Sequence, residues 1–296
     1  MVALAVAPDG KSLLAGSQLG VHVLSWPELQ VQKTIACEFP NVHHIEFSPE
    51  GKHFGVAGGE PALQGVVELF SWPECQSERV FLCHDDSAMQ VVWLDEQHLA
   101  SCSLDYGIAM LDRSQDEPAS ILRGHSRGVT ALSYLPQKRL LVSSGLDQSL
   151  RVWNLAEQEV LRSLTNHKQP VRDLELRPNQ EGLPMVASAS LDRTVRLWQP
   201  SIGRLVRFAR LPNRPVDIVW KPDGSRLYAA CENGRVFVID PDTVEVTELP
   251  NGTKSSANSS SRESRIYSLV VHPSGDLVIG GASGRLHRIS LDRLDH

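Results

Sequence analysis

Between Gly124 and Trp153 the chain reads GHSRGVTALSYLPQKRLLVSSGLDQSLRVW, three apolar runs separated by two turns. Apolar and polar positions alternate in GVTALSYL and SLRVWNL, the period of a strand that shows a different face to each side. The pattern predicts an antiparallel meander whose fourth strand is the following EVLRSLTN. Polar residues break the apolar pattern at His125, Ser143 and Asp147, and Trp153 ends the third run. Buried alone, each such group costs roughly 1–3 kcal/mol. Together they can satisfy one another, indole N–H to Ser, Ser to His and His to Asp.

The next stretch repeats the arrangement as His167, Ser188, Asp192 and Trp198, with the same Ser-to-Asp and Asp-to-Trp spacings. These two units resemble repeats of the WD-repeat family. The resemblance implies that each quartet is a structural hydrogen-bonded tetrad inside one blade of a β-propeller, not a catalytic set.

Seven units of strand, turn and strand can be laid out at the 40–45-residue period of propeller blades, over residues 1–38, 39–84, 85–124, 125–166, 167–212, 213–264 and 265–296. The expected fold is all-β, one seven-bladed propeller domain of four-stranded antiparallel blades. Turns recur after the first strand of most units, as Pro8-Asp9-Gly10, Pro49-Glu50-Gly51, Pro222-Asp223-Gly224 and Pro273-Ser274-Gly275. Pro pre-sets φ in such a turn and Gly tolerates a positive φ. The third unit keeps His84, Ser101 and Asp105 but has Leu111 in the Trp position, and the first, second, sixth and seventh put Leu24, Phe70, Ile239 and Ile289 there. Apolar packing is expected to hold those blades. The seventh unit shows three strands and then LDRLDH, so its blade is expected to be three-stranded, with an edge open to pairing with another strand. Gly58 to Gly65 reads as a lengthened loop, and the Ser-rich residues 250–265 as a flexible linker.

A net charge of −6 disfavours a general role on nucleic acid, which needs a cationic surface. No run approaches the ~20 apolar residues that span a bilayer, and the opening VALAVAP reads as a strand, so no membrane association is expected. The five cysteines, 37, 75, 83, 102 and 231, have no metal-site spacing and are odd in number, which fits reduced thiols and a cytoplasmic protein.

No catalytic constellation, cofactor site or metal site stands out. His43 and His44 are strand neighbours and point to opposite faces. The inner strands offer mainly Val, Ala, Leu and Ile, with Asp173 and Asp217 as the recurring carboxylates. By resemblance to the family, partners dock at the channel mouth, using residues at the starts of the inner strands and before the turn Asp. Here those are His43, Met89, Thr130, Arg172, Val216 and Tyr267, with Arg214 and Arg265 two residues ahead of a strand start. Leu104, Leu146 and Leu191 precede the turns and are expected to be exposed. The expected function is a monomeric, non-enzymatic scaffold that binds a protein or peptide, acidic where it meets the arginines. Two other readings stay open: a sensor or regulatory module of a larger protein or enzyme, and a channel-site hydrolase or redox enzyme.

Overall fold

Each predicted apolar run forms a strand in the computed structural model, which describes residues 3–250 and 265–291. Blade one holds β1 (Ala3–Val6), β2 (Ser12–Ser17), β3 (Gly20–Ser25) and β4 (Val31–Ile35). Blade two holds β5 (Val42–Phe47), β6 (His53–Glu60), β7 (Gln64–Ser71) and β8 (Ser77–His84). Blade three is β9 (Ala88–Trp93), β10 (His98–Ser103), β11 (Gly107–Asp112) and β12 (Ser120–Arg123). Blade four is β13 (Val129–Leu135), β14 (Leu140–Gly145), β15 (Leu150–Asn154) and β16 (Glu159–Leu164). Blade five is β17 (Val171–Leu176), β18 (Val186–Ser190), β19 (Thr194–Gln199) and β20 (Arg204–Arg210). Blade six is β21 (Pro215–Trp220), β22 (Leu227–Cys231), β23 (Val236–Ile239) and β24 (Val246–Glu248), and blade seven is β25 (Ile266–Val271), β26 (Leu277–Gly281) and β27 (Leu286–Ile289).

Every sheet is an antiparallel meander of strands consecutive in sequence, four in blades one to six and three in blade seven among the described residues. The Pro-x-Gly turns close as expected. Gly10, Gly51, Gly224 and Gly275 all have positive φ, and each N–H reaches the carbonyl three residues back at 2.8–2.9 Å. Residues 58–65 correct the loop expectation. Gly58 to Glu60 and Gln64 to Val66 extend the β6–β7 ladder, so the stretch is a hairpin with a three-residue tip. The Ser-rich residues 251–264 lie outside the described residues.

The core is a series of seams between neighbouring blades. Trp153 packs with Val92, Ala100, Cys102 and Ile108 of blade three, and Trp198 with Ala131, Val142 and Val152 of blade four. Each Trp thus ties its own blade to the preceding one, and full burial of a large apolar side chain stabilises by roughly 1.5–3 kcal/mol. The inner strands β1, β5, β9, β13, β17, β21 and β25 stand side by side around a central channel of about 1160 Å³.

Candidate functional site

Inner strands and turns bring the predicted residues together at one end of the channel. In blades two to seven the inner strand carries a β-bulge at its start. Val42 and His44 pair with Gly58 and Ala57, so His43 has no partner opposite it. The same skip leaves out Met89, Thr130, Arg172, Val216 and Tyr267. A bulged residue is released from the pleat and re-aimed. All six bulged side chains line the channel mouth.

They differ in availability. Arg172 and Tyr267 are exposed, His43 and Met89 are half-buried, and Thr130 is buried with its hydroxyl donating to the Val171 carbonyl at 2.7 Å. Arg214 and Arg265 are exposed on the same rim, where Arg214 sits 3.9 Å from Glu232. Leu104, Leu146 and Leu191 correct the expectation of exposure, because all three are half-buried. Leu104 lies so close over Gly128 that a β-carbon there would stand 2.8 Å from its Cδ2. The exposed residues at the tips are different ones: Leu19, Leu63 and Tyr106, one residue or two further into the turns of blades one to three.

Charge on this rim divides into two arcs. Over blades four to seven stand Arg127, Lys168, Arg193 and Arg285 beside Arg172 and Arg265, all exposed and without an ion pair among the described residues. Over blades one to three stand Glu38, Glu60, Asp85 and Asp86. Spacing arguments on single strands named Arg172, Arg214 and Arg265 but missed the acidic arc, which arises only when loops distant in sequence meet on one rim.

Below the mouth the channel is more polar than the inner strands suggested. Glu46 and Glu175 line it as well as Asp173, Asp217, His44 and Gln90. Each carboxylate keeps a strip of surface on the channel but is otherwise enclosed by protein. Burial pushes Glu46 up to about 8 and holds Asp173, Asp217 and Glu175 above the usual carboxylate range. Burial also pulls His44 down to about 4, and burial together with the Arg172 charge lowers His43. The charge of Asp173 adds to burial in raising Asp217. Their other role is structural. Asp173 accepts the Ile218 N–H at 2.9 Å, Asp217 accepts the Leu269 N–H, and Gln90 accepts the Leu132 N–H, so each stitches its inner strand to the next. Among the described residues no group of three or more His, Cys, Asp and Glu is arranged to hold a metal ion.

In blade four Trp153 Nε1–H donates to Ser143 Oγ at 2.8 Å, Ser143 lies 2.7 Å from His125 Nε2, and His125 Nδ1 lies 2.9 Å from Asp147 Oδ2. Blade five repeats this with Trp198, Ser188, His167 and Asp192 at 2.9, 2.7 and 2.9 Å. Both quartets are sealed inside their blades, away from the channel. In blade three His84 still meets Asp105 at 3.0 Å, but His84 Nε2 and Ser101 Oγ have no hydrogen-bond partner among the described residues.

The model of the WD domain, G-beta repeat, matches residues 116–154 and 158–199, the two units that carry the complete quartets. The chain is a WD-repeat β-propeller. It is similar to WD repeat-containing protein srw1 of Schizosaccharomyces pombe, 23% identical over 281 residues that cover 93% of this chain and 48% of that protein. It is 24% identical to Protein FIZZY-RELATED 3 of Arabidopsis thaliana over 268 residues, 89% of this chain and 53% of the relative. A p21-activated protein kinase-interacting protein 1-like from Danio rerio is 26% identical over 203 residues, 68% of this chain and 54% of its own length. The chain therefore spans about half the length of the curated relatives it matches. The WD-repeat propeller has no helix long and apolar enough to cross a membrane among its described residues.

Proposed function

We propose that this WD-repeat propeller is a non-enzymatic, cytoplasmic scaffold that binds an acidic protein or peptide segment at its channel mouth. The observation that carries the reading is the ring of six bulges, which turns residues of six blades toward one opening. Tyr267 and Met89 supply apolar area there, and Arg172 and Arg265 supply charge that favours an acidic partner. The two His-Asp-Ser sets support a structural rather than a catalytic use, since each is buried and closed by a Trp. One relative is named for interacting with a protein kinase, and the same manner of working, through a bound protein, is proposed for this chain.

The test is a comparative pull-down with mass spectrometry, using wild type and a variant carrying Arg172→Glu, Arg265→Glu and Tyr267→Ala. Loss of a wild-type partner by a folded variant is the expected result, with affinity down at least about tenfold because anchor residues dominate binding energy. Equal recovery by both proteins would move function away from the mouth.

A further inference from the structure

The β6–β7 hairpin pairs two strands of eight residues each and carries their ladder out to Glu60 and Gln64, with residues 61–63 at its tip. It does not project freely. The Gly59 N–H donates to the Pro40 carbonyl at 3.2 Å, Asn41 Nδ2 donates to the Gly59 carbonyl at 3.3 Å, and on the other side the Ala62 N–H donates to Asp86 Oδ1 at 2.9 Å. Glycine is required where the hairpin passes between these loops. A β-carbon on Gly58 would stand 2.3 Å from Phe39 Cε2, and one on Gly65 would stand 2.2 Å from the Asp86 carbonyl oxygen. The hairpin is therefore slotted into place with its tip held out.

That tip carries Leu63, 63% exposed, and neighbouring turn tips carry Leu19 at 80% and Tyr106 at 50%. In blades four to six the corresponding tips are Gln148, Arg193 and Gly234. Exposed apolar tips therefore occur on the same arc as Glu38, Glu60, Asp85 and Asp86. None of these four carboxylates meets a cation among the described residues. Holding apolar side chains in water on a pinned backbone lowers the ordering cost of binding, and uncompensated carboxylates around them select the sign of the partner.

We infer that the blade-two hairpin and its flanking carboxylates form a second docking surface, for a partner's basic segment that carries an apolar anchor. The apolar residue of that segment covers Leu63, and its Lys or Arg residues meet Glu60, Asp85 and Asp86. A second copy of this chain fits less well, since two molecules of net charge −6 repel overall. The surface lies across the mouth from the basic arc and does not depend on the acidic partner proposed above.

An array of random decapeptides probed with three proteins tests it: wild type, Glu60→Lys/Leu63→Ser/Asp85→Lys, and Lys168→Glu/Arg172→Glu/Arg265→Glu. All six substituted residues are exposed, and circular dichroism checks that both variants are folded. Peptides that combine Lys or Arg with Leu, Ile or Phe are expected to bind wild type and the basic-arc variant. Their affinity for the hairpin variant, read by fluorescence anisotropy, should fall at least about tenfold. Acidic peptides should show the reverse dependence, so failure of one surface is separable from failure of the other. Absence of basic–apolar binders, or equal binding of them by the hairpin variant, would overturn the inference. So would a dimer in analytical ultracentrifugation that the hairpin variant abolishes, because the surface would then belong to a second copy.

Discussion

Ser143 has one hydroxyl and two buried neighbours that need it. It accepts the Trp153 N–H and gives its own proton to His125 Nε2, which leaves His125 Nδ1–H for Asp147. Ser143→Ala strands an indole donor and an imidazole acceptor in the core and should cost about 2 kcal/mol in urea denaturation. Ser101→Ala in blade three is the control. Its hydroxyl has no partner among the described residues, so its removal should cost well under about 1 kcal/mol or stabilise. Equal losses at the two sites would sink the claim that the network, not the hydroxyl's volume, matters. The same network fixes the response to acid. Burial opposes ionisation of Asp147, yet hydrogen bonds from His125, Ser149 and the Ser126 N–H hold its carboxyl well below the usual range. A folded-state value below the unfolded one stabilises at pH above about 4 and is lost as pH falls through the folded value. Asp147→Asn should therefore be less stable than wild type at pH 7, with a deficit that shrinks below about pH 4.

Along the inner strands the sign is opposite. Burial raises Glu46 to about 8, so its proton is bound more tightly in the folded state than in the unfolded one. The stability this group contributes is complete below its unfolded value near 4.3 and is lost as pH rises through about 8. Glu175 across the channel, and Asp173 and Asp217 above it, share the raised direction. Glu46→Gln should flatten the decline in stability between about pH 5 and 8 measured by urea denaturation. An unchanged slope would mean that Glu46 ionises freely into channel water. Asp173 and Asp217 stand out in the sequence pattern, and Glu46 and Glu175 were equally legible there. A period of two places Glu46 on the face of His44 and Glu175 on the face of Asp173, so the alternation that gave the strands also marked the channel. The bulges were not legible, because they are a property of register between two strands rather than of either one. The blade-two hairpin was misread for a related reason. Its glycines look like loop composition, and only the closeness of Phe39, Asn41 and Asp86 shows that they are glycines of close approach.

At the scale of the ring, each blade is built from consecutive strands, so no strand exchange locks blade seven to blade one among the described residues. Side chains must close that seam. Leu4, Leu13, Ala15 and Leu24 of blade one meet Val278 of blade seven. At the rim opposite the mouth His272 Nε2–H donates to the Gly10 carbonyl at 2.9 Å, while its ring stacks on Trp26 at 3.9 Å. Arg288 lies over the other part of the clamp, 4.8 Å from the Trp26 ring, and is held there by Asp276 at 2.8 Å. Trp26 thus receives a stacked ring and a guanidinium from blade seven at once. Trp26→Ala should cost about 2–3 kcal/mol, less than a fully buried Trp because Trp26 is half-buried. Hydrogen exchange should then quicken first in β1–β3 and β25–β27, with blades three to five still protected. Trp220 offers the comparison, since it joins blades five and six through the Glu175 carbonyl at 3.3 Å and Arg177 at 5.3 Å. If Trp26→Ala quickens exchange evenly around the ring, the seam is no weaker than any other junction. If only the blades beside it open, the propeller has a single gate, and it lies where the first and last blades meet.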